Sequence, residues 1–337
     1  DTVVGVRDQP RNVVVQVTFD DAMDPTVVSG TYAAGDGARS FAHLAVSRDG
    51  TPAGRIPGSF TVSNAYRNVE FTTADVCAKN TCGGDVYCLP GNAALTVTAD
   101  AARLEAGGPS GAPFSGVMDA AGNSLDGNGN GRAEGPVSRY DRTLERPTGG
   151  DSTQWRFQTN NALDLTAPRV VEVVHFAKED GTARRFGGTT KLENVFDVSL
   201  TKPVEVLFSK LMRGEAASGV SLTEKNGCNA ETGDGCLWYL GFAEHEDTGD
   251  ADAEVDATRV TVTHAPLREA RTGTAIPKYR IRIDSTVRDI YQNCFFEREA
   301  PEGPRGPAGG DRCVRESGIE RCEQEAGVPQ SEQREPS

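Results

Sequence analysis

Two stretches nearly two hundred positions apart share one unusual spacing. Val15-x-Val17-x-Phe19-x-x-x-Met23 recurs as Val204-x-Val206-x-Phe208-x-x-x-Met212. Three further matches follow in the same order. Val69-Glu70-Phe71-Thr72 corresponds to Val260-Thr261-Val262-Thr263. Leu95-Thr96-Val97 corresponds to Tyr279-Arg280-Ile281-Arg282-Ile283, and Asp119…Asn123 to Asp289…Asn293. β-proteins supply V-x-V runs everywhere, but the Met and Asp…Asn landmarks are not strand residues. Four landmarks in one order therefore define a tandem repeat. Apolar residues at every second position are the signature of a half-buried strand, so the repeated unit is a β-module.

The rest of the chain agrees. Apolar residues make up 37% of it, and 38 glycines and 18 prolines imply many turns. Helical periodicity is nearly absent, and short, alternating, β-branched runs predict an all-β fold. Strands are expected over 12–19, 60–62, 68–72, 94–98, 154–159 and 169–176, with a loop at Cys77–Cys88. The 337 residues accommodate two domains, each long enough for its own core. Leu165-Thr166-Ala167-Pro168 is the expected joint, because the residue before a proline is pushed toward extended geometry. Module one then spans 1–164 and module two 165–300. The second carries an insertion at 226–257 with Cys228, Cys236 and the acidic run Glu244–Asp256. In the 301–337 tail Val314, Ile319 and Val328 are the sizeable aliphatics. Such a segment cannot bury a core of its own. It is expected to be irregular, tied by disulfides or laid on a partner or a neighbouring copy.

The formal net charge of −14 would repel a phosphate backbone, which argues against nucleic acid. Eight cysteines, Cys77, Cys82, Cys88, Cys228, Cys236, Cys294, Cys313 and Cys322, are even in number and lie in expected loops. No C-x-x-C pair suggests zinc, so disulfides in an oxidising compartment are expected. Their pairing cannot be deduced from spacing; Cys228–Cys236 and Cys313–Cys322 are the local options. No apolar run is long enough for a membrane helix. Because the sequence starts at Asp1 rather than Met, an export signal or lipoprotein anchor upstream is expected.

Val17-Thr-Phe19-Asp-Asp-Ala-Met23-Asp24-Pro25, Val117-Met-Asp119-Ala-Ala-Gly122-Asn123 and Thr166-Ala-Pro168-Arg-Val170 together resemble the bacterial Ig-like modules of S-layer-type (SbsA-like) surface proteins. The pattern covers most of residues 10–160. In the second module it holds at Phe208-Ser-Lys-Leu-Met212 and Asp289…Asn293, but Gln292 replaces the family's glycine. The resemblance implies two tandem Ig-like Greek-key β-sandwiches, export to the cell surface or a periplasm-facing outer membrane, and a role in adhesion, spacing or assembly.

The leading chemical candidate is the loop Asp126-Gly-Asn128-Gly-Asn130-Gly131-Arg132-Ala-Glu134. Oxygens at loop positions one, three and five with glycine at six are how a calcium loop wraps a hard cation. Position seven would add the Arg132 carbonyl and position nine Glu134. Position twelve is Val137 rather than glutamate and no flanking helices are evident, so the loop is not an EF-hand. Asp119 or Asp141 could supply the missing carboxylate. The competing account is a glycine-rich hairpin whose Asn and Asp residues serve turn geometry. Glu244–Asp256, with His245, reads as a solvated acidic loop before it reads as a metal site. His43, His175, His245 and His264 sit in unrelated contexts, and neither a G-x-S-x-G elbow nor H-E-x-x-H is present. Trp155 reads as core, while Trp238 packs on a disulfide or faces a partner. The expected function is therefore a non-enzymatic, exported structural or adhesive protein working with protein partners or copies of itself. The alternative is an accessory, ligand-binding or spacer part of a secreted or outer-membrane complex that includes a hydrolase.

Overall fold

The computed structural model describes residues 6–33, 41, 43–48, 50–80, 82–105, 108–109, 115–136, 139–141, 146–148, 150–187, 198–224, 237–246, 257–268, 279–295, 312–316 and 319–323. The chain divides into two compact units. Unit 1 is Asp1–Ala167 together with Arg213–Glu215 and Arg288–Cys294. Unit 2 is Pro168–Met212, Ala216–Val287 and Phe295–Ser337.

Unit 1 is a β-sandwich. Its strands are β1 (Val6–Gln9), β2 (Val15–Thr18), β3 (Gly30–Tyr32), β4 (Leu44–Ser47), β5 (Gly58–Ser63), β6 (Asn68–Thr73), β7 (Val76–Lys79), β8 (Asp85–Tyr87) and β9 (Ala94–Ala99). They continue with β10 (Leu104–Glu105), β11 (Gly108–Pro109), β12 (Arg139–Asp141), β13 (Arg146–Thr148) and β14 (Thr153–Thr159). One sheet has the order β1-β14-β9-β4 and the other β2-β6-β5-β3; the remaining strands form three small hairpins. Hydrogen-bonded neighbours far apart in sequence, β2 with β6 and β4 with β9, mean that the chain crosses repeatedly between sheets, as an Ig-like sandwich requires. Val15, Phe60, Val69 and Phe71 of one sheet bury against Leu44, Val46, Leu95 and Val97 of the other. Trp155 and Phe157 pack on this cluster from β14. Asp20–Pro25 breaks the chain after β2 as expected. Pro25 then begins a short helix, α1 (Pro25–Val28), capped by Asp24 Oδ1 accepting from Thr26 N at 2.8 Å.

The Cys77–Cys88 stretch, expected as a loop, is the β7–β8 hairpin, clasped by a Cys77–Cys88 disulfide. The staple replaces the apolar packing whose absence made the segment look irregular. A second disulfide, Cys82–Cys294, spans a sequence separation of 212 and holds Arg288–Cys294 in unit 1. Polar groups hold the same segment. Buried Asn12 donates to the carbonyls of Asp164 and Tyr291, both at 2.8 Å. Asn80 Nδ2 donates to the Gln292 carbonyl at 2.8 Å.

Gln292 explains the missing glycine. It sits at φ 69°, in left-handed space where its counterpart Gly122 sits at 83°. Its amide donates to the carbonyls of Asn12 (2.8 Å) and Tyr87 (2.7 Å) and accepts from Tyr87 N (2.9 Å). A non-glycine residue at positive φ costs about 1–2 kcal/mol. Three satisfied bonds in a buried setting offset that cost.

Unit 2 repeats the plan. Its strands are β15 (Val170–Phe176), β16 (Ala183–Gly187), β17 (Val204–Phe208), β18 (Val220–Glu224), β19 (Tyr239–Glu246), β20 (Ala257–His264), β21 (Tyr279–Asp284), β22 (Arg312–Glu316) and β23 (Ile319–Glu323), with a short helix α2 (Ala216–Gly219). The sheets are β16-β15-β17-β20-β19 and β18-β21-β23-β22. Phe208, Met212, Val206, Val260, Ile281 and Ile283 lie in their shared core.

The repeat is exact to the residue at its centre. In unit 1 Val15 pairs with Phe71 and Val17 with Val69; in unit 2 Val204 pairs with Val262 and Val206 with Val260. Met23 and Met212 are both buried and each precedes a short helix.

Two expectations change in unit 2. Residues 239–246 of the expected insertion are strand β19, paired with β20 along its whole length. The inward residues there, Gly241 and Ala243, are too small to register as an apolar stripe, and Gly241 has no room for a Cβ beside the Ala217 carbonyl. Part of the expected irregular tail is the β22–β23 hairpin, with β23 running parallel to β21 from Ile281↔Ile319 to Asp284↔Cys322. A segment unable to bury a core can still complete a ladder, because an open strand offers unpaired N–H and C=O groups.

Within unit 1 the buried Glu70 carboxylate accepts from Arg213 Nε at 2.8 Å, Gly214 N at 2.5 Å and Ser63 Oγ at 3.2 Å. Nearby, burial raises the pKa of Glu215; Glu70 adds to that rise, while Arg213 and Arg288 oppose it. Removing one partner of a buried ion pair leaves an uncompensated charge. Arg213→Ala should therefore destabilise the protein by roughly 3–5 kcal/mol in urea unfolding, and the paired Glu70→Leu/Arg213→Met variant should recover most of that loss.

Candidate functional site

The Asp119 and Asp289 turns, alike in sequence, are alike in geometry. Asp119 Oδ1 accepts from Ala121 N (2.9 Å) and Asn123 N (2.7 Å), and its Oδ2 accepts from Asn123 Nδ2 (2.7 Å). Asp289 makes the corresponding bonds to Tyr291 N (3.0 Å), Asn293 N (2.8 Å) and Asn293 Nδ2 (3.1 Å). Short carboxylates closing their own backbone turn are what Asp does best in such segments. Both oxygens of Asp119 are thus engaged in its own turn rather than turned to the glycine-rich loop.

That loop follows immediately. Asp126 Oδ1 accepts from Asn130 N (3.2 Å) and Oδ2 from Gly131 N (2.6 Å). Asn128 Oδ1 accepts from Asn130 N (3.1 Å), and Asn130 Oδ1 from Arg132 N (2.9 Å). Both asparagine amides donate to Glu134 Oε2, at 3.2 and 3.1 Å. Glycines at φ 69° (Gly129) and 77° (Gly131) allow this tight winding. The structure therefore brings together Asp126, Asn128, Asn130 and Glu134 around one coil, with Arg132 contributing backbone. Asp119 stays outside it, and the Asp141 side chain lies outside the described residues.

Asp151 joins the coil from the start of β14, which the sequence reading missed. Its carboxylate is buried, and Oδ1 accepts from Asn128 Nδ2 at 2.9 Å. Oδ2 accepts from Gly135 N at 3.0 Å and from Glu134 N. Gly127 permits the approach, since a Cβ there would collide with the Asp151 carbonyl. Nothing within the loop points to a partner more than fifteen residues away. The one sequence clue is that Asp151 lies two residues before the alternating strand.

Burial raises the pKa of Asp151, and the charges of Asp126 and Glu134 push the same way; the two backbone N–H donors oppose them. The fit to a hard cation is partial. Asp126, Glu134 and Asp151 supply carboxylates and Arg132 a carbonyl, which is suitable chemistry. The Asn128 and Asn130 nitrogens, however, face the carboxylates where a cation would need oxygens, so both amides would have to rotate. Among the described residues, no group of three or more His, Cys, Asp or Glu side chains stands ready to hold a metal.

The other candidates are dispersed. His245 is in β19 with Nδ1 2.8 Å from Thr258 Oγ1, and Glu246 pairs with Arg259 at 2.8 Å, so the acidic run begins as strand. Residues 247–256 lie outside the described residues. His264 is buried between the Ala265 and Lys202 carbonyls, at 2.8 and 2.9 Å. Burial alone lowers His175 to about 4. Burial also lowers His43, against the pull of Asp100. Trp238 is 64% exposed rather than packed away. Cys313 and Cys322 stand opposite each other in the β22–β23 ladder, and Cys228 and Cys236 lie outside the described residues. No helix among the described residues is long and apolar enough to cross a membrane.

No family model and no curated protein matches the chain. Two solved structures are similar to it. One is surface layer protein SbsC, domains 1–6, at 11% identity, covering 82% of this chain and 52% of that one, TM-score 0.20. The other is a chicken TCR at 9% identity, covering 80% of this chain and 90% of that one, TM-score 0.16. The chain thus spans about half the length of the SbsC structure, and at these TM-scores neither likeness carries an argument.

A carboxylate held above its ordinary pKa makes the fold bind that proton more tightly than the unfolded chain does. Its contribution to stability is present at low pH and lost as pH rises through the raised value. Asp151→Asn cannot titrate. Urea midpoints measured against pH should therefore show the wild type losing ground relative to Asp151→Asn as pH rises through that window.

Proposed function

We propose that this chain is a non-enzymatic, exported protein of the cell surface, contributing two Ig-like sandwiches, the first clasped by two disulfides, to an extracellular or outer-membrane assembly. The observation that carries the reading is the pair of disulfides, Cys77–Cys88 and Cys82–Cys294, in a tandem sandwich. Structural disulfides belong to oxidising compartments. Sandwiches of this kind make contacts through edge strands and loops rather than through a reaction centre. The partners we favour are copies of the chain itself or neighbouring surface proteins.

Protease added to intact cells producing the chain should remove it without lysis, and non-reducing mass mapping of the purified protein should find both disulfides. A chain protected until lysis, or one with free thiols at Cys82 and Cys294, would overturn the reading. Light scattering on purified protein then separates the partners. Association that grows with concentration marks self-assembly, and a monomer marks docking on another protein.

We also infer a calcium role for the Asp126–Glu134 loop. The specific support is Asp151, a buried carboxylate placed beside Asp126 and Glu134. A divalent cation would relieve the crowding of these acids. Calorimetric titration with Ca²⁺ should give binding heat that Asp126→Ala and Asp151→Asn each abolish. Equal heats in all three proteins would remove the site.

A further inference from the structure

The same loop contains two Asn-Gly pairs, Asn128-Gly129 and Asn130-Gly131, and all four residues are exposed. In such a pair the glycine amide nitrogen can attack the preceding side-chain carbonyl carbon, because glycine carries no side chain to hinder the approach. Three things assist the reaction: a base for the amide proton, a donor for the carbonyl oxygen as it gains charge, and an acceptor orienting the departing amide.

Asn130-Gly131 has all three. Gly131 N–H is directed at the Asp126 carboxylate, with Oδ2 at 2.6 Å. Asn130 Oδ1 receives Arg132 N–H at 2.9 Å, as a developing oxyanion would. Asn130 Nδ2 is held by Glu134 Oε2 at 3.1 Å. Asn128-Gly129 lacks the base, since Gly129 N donates to the neutral backbone carbonyl of Asp126 at 3.4 Å.

We propose that Asn130-Gly131 is a self-modification site, at which the folded loop converts its own asparagine to an acidic residue. The Gly131 nitrogen loses its proton to Asp126 and bonds to Asn130 Cγ. The bond from Cγ to the side-chain nitrogen breaks, and that nitrogen leaves as ammonia carrying the proton. Water then opens the five-membered imide at either carbonyl, giving an aspartyl or isoaspartyl residue at position 130. One water is consumed, one ammonia is released, and no oxidant or reductant is involved. Each event adds one negative charge to the loop and replaces an amide that points its nitrogen at Glu134 with a carboxylate. The chemistry belongs to the cation-free loop, since a bound calcium would occupy Asp126 and Glu134 and turn the Asn130 amide.

The test is ageing of the purified full-length protein at neutral pH, followed by peptide mass spectrometry that localises the amide-to-acid mass gain. Position 130 should convert at least about tenfold faster than position 128, and Asp126→Ala should bring the two rates together. The wild-type comparison within one peptide needs no variant, so a misfolded Asp126→Ala protein leaves the test intact. Equal rates at the two positions, faster conversion at 128, or no conversion at either would overturn the proposal.

Discussion

Pairing of Val15 with Phe71 and Val17 with Val69, mirrored by Val204 with Val262 and Val206 with Val260, is the constraint from which both sandwiches follow. Side chains alternate across a strand, so a slip of one residue would turn the inward row out to solvent. Everything else is hung from these two ladders. Met23 and Met212 close the core beside the short helices, and the paired Asp turns follow the later strands β9 and β21. Conserving the ladder while varying what surrounds it gives two units with one interior and different exteriors.

The differences lie in what fills the left-handed corner of the second turn. Gly122 leaves its turn a simple reversal at the surface. Gln292 accepts the same backbone geometry and spends its side chain on Asn12 and Tyr87. With the Cys82–Cys294 bond and the Glu70–Arg213 pair, it makes unit 1 depend on segments that come late in the sequence. Local strain is tolerated there because several independent contacts over-determine the position.

How much of this could be read beforehand depends on side-chain size and distance along the chain. The V-x-V strands and the Met landmarks were visible because large apolar residues alternate without interruption. Strand β19 was hidden by Gly241 and Ala243, whose inward faces carry too little apolar surface to signal a period. The β7–β8 hairpin was hidden because a disulfide does the work of a core. Within the candidate site, Asp126, Asn128, Asn130 and Glu134 were legible from spacing alone. Asp151 was not, since its approach depends on the bare α-carbon of Gly127 and on where β14 begins in space. The pairing of Cys82 with Cys294 was equally beyond spacing arguments, because it is set by the fold of Arg288–Cys294 within unit 1.

That last bond alters how the polymer responds to being pulled. A stretching force applied at the two ends reaches Cys82, passes through sulfur to Cys294, and leaves by the tail. Most of unit 2 lies inside the covalent ring so closed and cannot lengthen, and tension reaches it only where β23 of the tail pairs with β21. Only the stretches before Cys82 and after Cys294 can lengthen, which gives the chain a short mechanical contour for its size.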